Sequence, residues 1–224
     1  MDFSLEIDSV NKCFGEKKIL SDVYLKCETG DIIGVFGRNG SGKSTLLKII
    51  HGTLNADNKF VRLNSKVLSQ PYKLKNGISY LPQENFIPNY FTVKKVINLL
   101  INQNKFEEFI NDKMINKIIN SQIKALSVGE LKYFQVKLIL FNDSKFCLLD
   151  EPYSGVSPLD IELINNQIIE QSNNKGIIIT DHNYLYLLEI ATKIYLLKDG
   201  VGKFLNNEQE LIKFGYLKNG MIKE

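Results

Sequence analysis

Residues 37–44 read Gly-Arg-Asn-Gly-Ser-Gly-Lys-Ser, and this stretch decides the fold of the chain. It fits the phosphate-binding pattern G-x-x-x-x-G-K-[ST]. The apolar run Ile32–Phe36 precedes it as a predicted buried strand, and Thr45–Ile50 follows with helical spacing up to Gly52, which is placed to end the helix. A strand, a glycine loop and a helix N-terminus predict an anion site, because backbone N–H groups and the helix dipole both favour phosphate.

The residues of this loop have predicted roles in binding a nucleoside triphosphate with Mg²⁺. Lys43 is expected to reach the β- and γ-phosphates, and the Ser44 hydroxyl is expected to ligate Mg²⁺. A chance match to the pattern is expected in about one percent of such chains, and the flanking strand and helix make it rarer. The other predicted nucleotide-binding residues of the loop are Gly37, Asn39, Gly40, Ser41, Gly42 and Thr45.

Composition and charge exclude several classes of protein. The net charge of the 224 residues is only +3, and Arg38 and Arg62 are the only arginines, so no nucleic-acid partner is expected. The sequence has no apolar run of about 20 residues that would span a bilayer and no signal-peptide pattern at its start. Cys13, Cys27 and Cys147 lack metal-type spacing and are expected to be reduced thiols in a cytoplasmic protein.

The pattern of apolar residues predicts an α/β fold in a single domain, residues 1–224. Residues 3–8 alternate and 19–25 are β-rich, which predicts an antiparallel β element beside the phosphate loop. Apolar residues at helical spacing within 90–125 predict a small helical subdomain at about 86–140, inserted into a mostly parallel sheet flanked by helices.

The second half of the chain predicts the rest of that parallel sheet. Phe146–Leu149 and Ile177–Ile179 are short apolar runs joined by a predicted helix, which makes a βαβ unit. Residues 194–201 read as a hairpin, and 207–224 as a short helix with a polar end. We therefore predict a P-loop NTPase core.

Polar residues directly follow the predicted central strands, where such a sheet presents its ligands. Asp150 is a predicted Mg²⁺ ligand and Glu151 the predicted general base, with a solvated strand end as the alternative. His182 is expected to hold the γ-phosphate or the attacking water, unless it is a structural histidine. Gln83 follows another short strand and is a predicted ligand of Mg²⁺ or of the water, although most glutamines are simply surface residues.

Taken together, these motifs resemble the ATP-binding cassette (ABC) ATPases over nearly the whole chain. Leu126–Glu130 looks like the signature loop of that family, and the motifs follow in the order of the family. The resemblance implies that two subunits, of one or two kinds, pair head to tail, with ATP between the P-loop of one and Ser127, Gly129 and Glu130 of the other. It also implies that Ser157–Asp160 crosses the dimer interface. Finally, it implies that Phe14 stacks on adenine, with core packing as the alternative.

The sequence departs from the family pattern in three places. Val128 stands where the signature usually has glycine, so affinity or rate is expected to fall while activity survives. The helix that follows, predicted at Leu131–Leu140, has lysines where arginines are usual, and the segment from Gln83 to Ser127 is short. Within the family, the motifs around Gln83, Glu151 and His182 resemble the lipopolysaccharide-export ATPases and the related branched-chain amino-acid importers.

The resemblance implies three competing functions. The first is a transporter ATPase, peripheral on the inner face of the cell membrane, whose separate transmembrane subunits dock near Glu84–Phe91. Within that segment Phe86, Ile87, Tyr90 and Phe91 are expected to form a groove for a partner helix, with core packing as the alternative. The second is a soluble cassette ATPase, such as an iron–sulfur assembly scaffold, and the third is a degenerate nucleotide sensor.

Overall fold

The computed structural model describes residues 3–218 and 220. The parts of the predicted domain and of the predicted polar tail at residues 1, 2, 219 and 221–224 lie outside the described residues. Over the described part, no helix combines the length and the apolar character needed to cross a bilayer.

The strands form two sheets, as predicted, one antiparallel and one mostly parallel. The antiparallel sheet has the order β2-β1-β4-β5, and the second sheet has the order β10-β9-β3-β8-β7-β6, in which only β10 runs antiparallel to its neighbour. The strands are β1 (Ser4–Phe14), β2 (Lys17–Glu28), β3 (Ile32–Phe36), β4 (Asn58–Leu63), β5 (Lys66–Val67), β6 (Ile78–Leu81), β7 (Phe146–Asp150), β8 (Gly176–Thr180), β9 (Lys193–Lys198) and β10 (Val201–Leu205).

The helices cover the parallel sheet and fill the segment between β6 and β7. The helix after the phosphate loop ends at His51, where Gly52 adopts φ 90°, as predicted. The helices are α1 (Lys43–His51), α2 (Val93–Leu100), α3 (Phe106–Ile110), α4 (Lys113–Ile118), α5 (Val128–Phe141), α6 (Pro158–Ser172), α7 (Tyr184–Ile190) and α8 (Gln209–Lys213).

One helix boundary differs from the sequence prediction, and the structure adds the detail of the helical segment before it. Helix α5 begins at Val128 rather than Leu131, because Ser127 and Glu130 form a capping box that starts the helix directly after Ser127. The region from 90 to 125 is divided into three short helices, because Asn102 and Asp112 cap new turns with their side chains.

The alternation of side chains along the central strands separates two cores. Ile33 and Val35 of β3 face α1 and the antiparallel sheet, whereas Ile32 and Phe36 face the side covered by α5 and α6. Strand β8 lies between β3 and β7, and all three strands are parallel and wholly buried. Their carboxyl ends therefore open on one edge of a rigid sheet.

Candidate active site

The phosphate loop leaves β3 in a conformation that only glycine permits at two positions. A Cβ on Gly37 would lie 2.4 Å from the Leu197 carbonyl oxygen, and Gly42 adopts φ 101°. The loop folds back so that Lys43 Nζ donates to the Gly37 carbonyl at 2.7 Å. Burial lowers the pKa of Lys43, and the carboxylates of Glu151 and Asp150 oppose that shift. The lysine is thus held under the loop, with acidic groups facing it.

The loop is chemically suited to a triphosphate. The N-terminus of α1 has no side-chain cap and no acidic residue in its first turn, so its free N–H groups and its positive dipole end are available to an anion. In the same loop, Ser41 Oγ is buried and has no hydrogen-bond partner among the described residues.

A cavity of about 450 Å³ lies over this loop. It brings together most of the residues that the sequence predicted for nucleotide binding and catalysis. Its lining residues include Phe14, Asn39, Gly40, Gly42, Lys43, Ser44, Thr45, Gln83, Glu151 and His182.

Asp150 lies at the end of β7, where three hydroxyl groups hold its carboxylate. Ser44 Oγ donates to Asp150 Oδ1 at 2.9 Å, Thr180 Oγ1 donates to the same oxygen at 2.7 Å, and Tyr80 OH donates to Oδ2 at 3.0 Å. A hydroxyl and a carboxylate side by side form the hard oxygen set that Mg²⁺ prefers, so the two predicted ligands fit the metal. The supporting roles of Tyr80 and Thr180 were not predicted, because only the pairing of β6 and β8 with β7 brings them to Asp150.

Glu151 is the first residue after β7 and is held on both sides. Gln83 Nε2 donates to Glu151 Oε2 at 2.7 Å, and His182 Nε2 lies 2.6 Å from Glu151 Oε1. The backbone of Glu151 adopts φ 54°, a strained conformation for a residue with a side chain, and its N–H donates to the Thr180 carbonyl at 2.8 Å. The predicted glutamine, Gln83, and the predicted histidine, His182, therefore both contact the carboxylate of the predicted base, Glu151. The Gln83 amide nitrogen faces that carboxylate.

Asp181 ties together the loops that carry Glu151 and His182. Its buried carboxylate accepts from the Tyr153 N–H at 2.9 Å and from the Asn183 N–H at 2.8 Å, and burial raises its pKa. The sequence contains a signal for this residue, an acidic side chain directly after an apolar strand, but no role was predicted for it.

The signature loop lies outside the cavity. Ser127 Oγ accepts from the Glu130 N–H at 3.2 Å, and Glu130 Oε2 accepts from the Ser127 N–H at 3.0 Å, so both side chains serve the start of α5. A Cβ on Gly129 would meet nothing closer than 3.7 Å, whereas a Cβ on Gly155 would lie 2.6 Å from Val128 Cγ1. Val128 is 68% exposed and lies against the loop that follows Glu151.

Phe14 is 51% exposed, which is incompatible with the core-packing alternative. It lies at the end of β1 on the rim of the cavity, and Lys12 Nζ lies 4.9 Å from the centre of its ring. An exposed ring at this place leaves a π-face available for a base.

The predicted docking segment divides into buried and exposed side chains. Ile87 is buried, so its assignment to a groove was wrong and the core-packing alternative holds for it, whereas Phe91 packs against the core and is only partly buried. Tyr90 is 72% exposed, and Phe86 is also exposed. Phe91 is fixed by the Tyr90 ring and by Lys95 Nζ, which lies 4.2 Å from its ring centre.

Comparison with known proteins places this geometry in a family. The family model described as "ABC transporter" matches residues 20–154. The chain is 29% identical to the lipopolysaccharide export system ATP-binding protein LptB of Haemophilus influenzae, over 90% of this chain and 88% of that protein. It is 27% identical to an uncharacterized ABC transporter ATP-binding protein of Methanocaldococcus jannaschii, over 97% of this chain and 84% of that protein.

A solved structure agrees with the sequence comparison. The chain is similar to a nucleotide-free ATP-binding cassette from an ABC transporter, with a TM-score of 0.81 and 25% identity over 95% of this chain and 94% of that one. The mixed α/β architecture predicted from the sequence is that of this fold. The chain belongs to the ABC transporter family of ATP-binding proteins.

Proposed function

We propose that this chain is the ATP-binding and ATP-hydrolysing subunit of a membrane transporter that has separate transmembrane subunits. One observation carries the proposal: the Glu151 carboxylate lies between Gln83 and His182, at a cavity that also contains the P-loop lysine. All the groups needed for hydrolysis are present, which disfavours a degenerate sensor. The names of the two relatives given above refer to an export system and to an ABC transporter, and neither refers to iron–sulfur assembly.

In the proposed reaction, Glu151 accepts a proton from water while the water oxygen bonds to the γ-phosphorus and the bond to the β–γ bridging oxygen breaks. Lys43 and the N–H groups of α1 hold the phosphates, and His182 orients the water or the γ-phosphate. Ser44 and Asp150 would hold Mg²⁺, with Gln83 as a further predicted ligand. When bound, Mg²⁺ neutralises charge on the phosphate oxygens. The products are ADP and phosphate.

The signature residues are proposed to act in a second subunit. Ser127, Gly129 and Glu130 lie outside the cavity of their own chain, so a head-to-tail pair would bring the N-terminus of α5 to the nucleotide of its partner. The free space at Gly129 permits close approach of a phosphate to the backbone there.

The proposed attachment to the transporter uses the segment Glu84–Phe91. Phe86 and Tyr90 offer exposed aromatic surface to a helix of a transmembrane subunit, while Ile87 and Phe91 anchor the segment to the core. This attachment would hold the chain at the inner face of the membrane.

The proposed helical subdomain consists of the helical segments 93–100, 106–110 and 113–118, followed by α5.

The test is a pull-down with a variant that holds ATP. Tagged Glu151→Gln chain is expressed in the native host, membranes are solubilised in mild detergent, and co-purifying proteins are identified. We expect one or two polytopic membrane proteins, whose recovery falls when Tyr90→Glu is added. Recovery of soluble proteins alone, with no membrane protein, would overturn the transport proposal.

A further inference from the structure

Helix α5 holds the loop that carries Gln83 through two side chains. Lys132 Nζ donates to the Gln83 carbonyl oxygen at 3.2 Å, and Gln135 Nε2 donates to Asn85 Oδ1 at 2.8 Å. Asn85 in turn shapes the loop, because its Oδ1 accepts from the Ile87 N–H at 2.9 Å and its Nδ2 donates to the Ile87 carbonyl at 3.0 Å. The loop is therefore fixed to one face of α5.

Lys132 carries an amino group at a buried position of α5, where most side chains are apolar. Only 6% of Lys132 is exposed, and burial lowers the pKa of its amino group. The carboxylates of Glu151, Asp181 and Asp150 act in the opposite direction and raise that pKa. An apolar side chain of similar volume would fill the same space without the cost of desolvating an amine. The bond to a backbone carbonyl is the specific contact that the amine makes possible.

The contact acts on the residue that holds the catalytic carboxylate. The backbone carbonyl of Gln83 accepts from Lys132. The side-chain amide of the same residue donates to Glu151 Oε2 at 2.7 Å. A glutamine backbone that shifts by 1 Å loses a hydrogen bond of that length. Ser127 caps α5 and Lys132 lies in its first turns, so the signature end of the helix is joined to Gln83 by this hydrogen bond.

We propose that Lys132 is a positioning residue that fixes Gln83 against Glu151 and makes α5 and the Gln83 loop move as one unit. The proposal rests on the ATP hydrolysis proposed above. It assigns Lys132 no contact with nucleotide. Its effect on turnover must pass through Gln83.

A double-mutant cycle on the purified full-length chain tests that dependence. Lys132→Met is expected to lower kcat for ATP by on the order of tenfold with little change in KM, because misplacement of a catalytic group affects mainly the chemical step. In a Gln83→Ala background the same substitution is expected to change kcat by less than about twofold, because the group it positions is already gone. Lys132→Arg, which restores a donor, is expected to recover part of the rate.

A matched control separates positioning from general stability. Lys175 is also a buried lysine that donates to a backbone carbonyl, that of Asn142 at the other end of α5. Lys175→Met is expected to leave kcat unchanged even if it lowers the melting temperature. A fall of kcat in Lys175→Met equal to that in Lys132→Met would show that any buried lysine at α5 has this effect, and would overturn the proposal.

A second measurement needs no nucleotide. In nucleotide-free chain with ¹⁵N-labelled glutamine side chains, the Gln83 amide signal is assigned by its loss in Gln83→Ala. Lys132→Met is expected to shift it toward the position of a free amide, and Lys175→Met to leave it in place. An unmoved signal would overturn the proposal, as would equal losses of kcat in both backgrounds of the cycle. Absence of ATP turnover in the unsubstituted chain would instead overturn the proposed function.

Discussion

At the scale of single residues, the site depends on Glu151, whose position costs backbone strain. Glu151→Gln keeps the shape of the side chain but removes the base, so kcat is expected to fall at least 100-fold while the affinity for ATP changes little. Phosphate release and equilibrium binding of ATP measure the two effects separately. Glu189→Gln, at an exposed position, is the control and should have normal turnover. Unchanged turnover in Glu151→Gln would show that Glu151 is not the catalytic base.

Val128 lies in the predicted signature loop, at a position where glycine was expected. Its branched side chain stands at the exposed start of α5, where a partner's phosphate is proposed to approach. Val128→Gly is expected to raise the ATPase rate by about two- to tenfold, because the backbone N–H groups become accessible. Val128→Leu is the control of equal polarity and should give no increase. If the ATPase rate falls in Val128→Gly, the contact between the Val128 side chain and Gly155 matters more for turnover than the access of phosphate to the backbone N–H groups.

At the scale of elements, three helices meet at one ion pair between the buried Lys137 and the partly buried Asp112. The Asp112 carboxylate caps α4, accepts from Tyr133 OH at 2.6 Å and from Lys137 Nζ of α5 at 2.5 Å, and contacts Gln167 of α6. Burial raises its pKa, but the hydrogen bonds from Lys137 and Tyr133 outweigh burial, so that the pKa of Asp112 is lowered. The network joins the helices between β6 and β7 to the helix that follows β7.

Asp112→Asn tests that ion pair, because asparagine still caps a helix but carries no charge. At pH 7 the free energy of unfolding from urea titration is expected to fall by about 3 kcal/mol, since Lys137 is left buried without its partner. A carboxyl with a lowered pKa contributes its stability above its unfolded pKa of about 3.9 and loses it as the pH falls through the folded value.

The difference in stability between the unsubstituted chain and Asp112→Asn should therefore shrink below about pH 4. Asp57→Asn, at a more exposed ion pair, is the control and should change the unfolding free energy by less than about 1 kcal/mol. A difference that stays constant from pH 7 to pH 3 would rule out the charge as its cause.

Elements with local signals were predictable from the sequence, and those set by distant partners were not. Strand β3, the phosphate loop and α1 have a motif, an apolar run and a terminal glycine within 21 residues, 32–52. Strand β4 gains its pairing from β1, some 50 residues earlier, and the two-residue edge strand β5 pairs with β4, so their own residues give little periodicity. The predicted site residues of the P-loop, β6, β7 and β8 meet as expected. The supporting hydrogen bonds of Tyr80, Thr180, Asp181 and Lys132 depend on side-chain geometry that no pattern of residue types contains.

At the scale of the whole molecule, nucleotide binding is expected to stabilise the fold, because the site joins loops from β3, β7 and β8. A ligand at 100 times its Kd adds about 2.7 kcal/mol, which for a chain of this size corresponds to a rise in Tm of roughly 5–10 °C. Calorimetry of Glu151→Gln with Mg²⁺ and ATP measures the rise without turnover. Lys43→Ala should abolish it, and AMP should not replace ATP. A Tm that is equal with and without ATP would contradict the assignment of the loop.

The strand order also affects how the chain acquires its structure during synthesis. Strand β3 carries the phosphate loop early in the chain, yet its sheet neighbours β8 and β9 begin at residues 176 and 193. A nascent chain can complete the antiparallel sheet once β5 has left the ribosome, but the backbone N–H and C=O groups along both edges of β3 must wait for more than 100 further residues before they are paired. Long-range parallel pairing of this kind is slow and leaves unpaired, aggregation-prone strand edges exposed. We expect the ribosome-bound intermediate to need chaperones during this interval, and slowed translation between β5 and β8 to reduce the yield of folded protein.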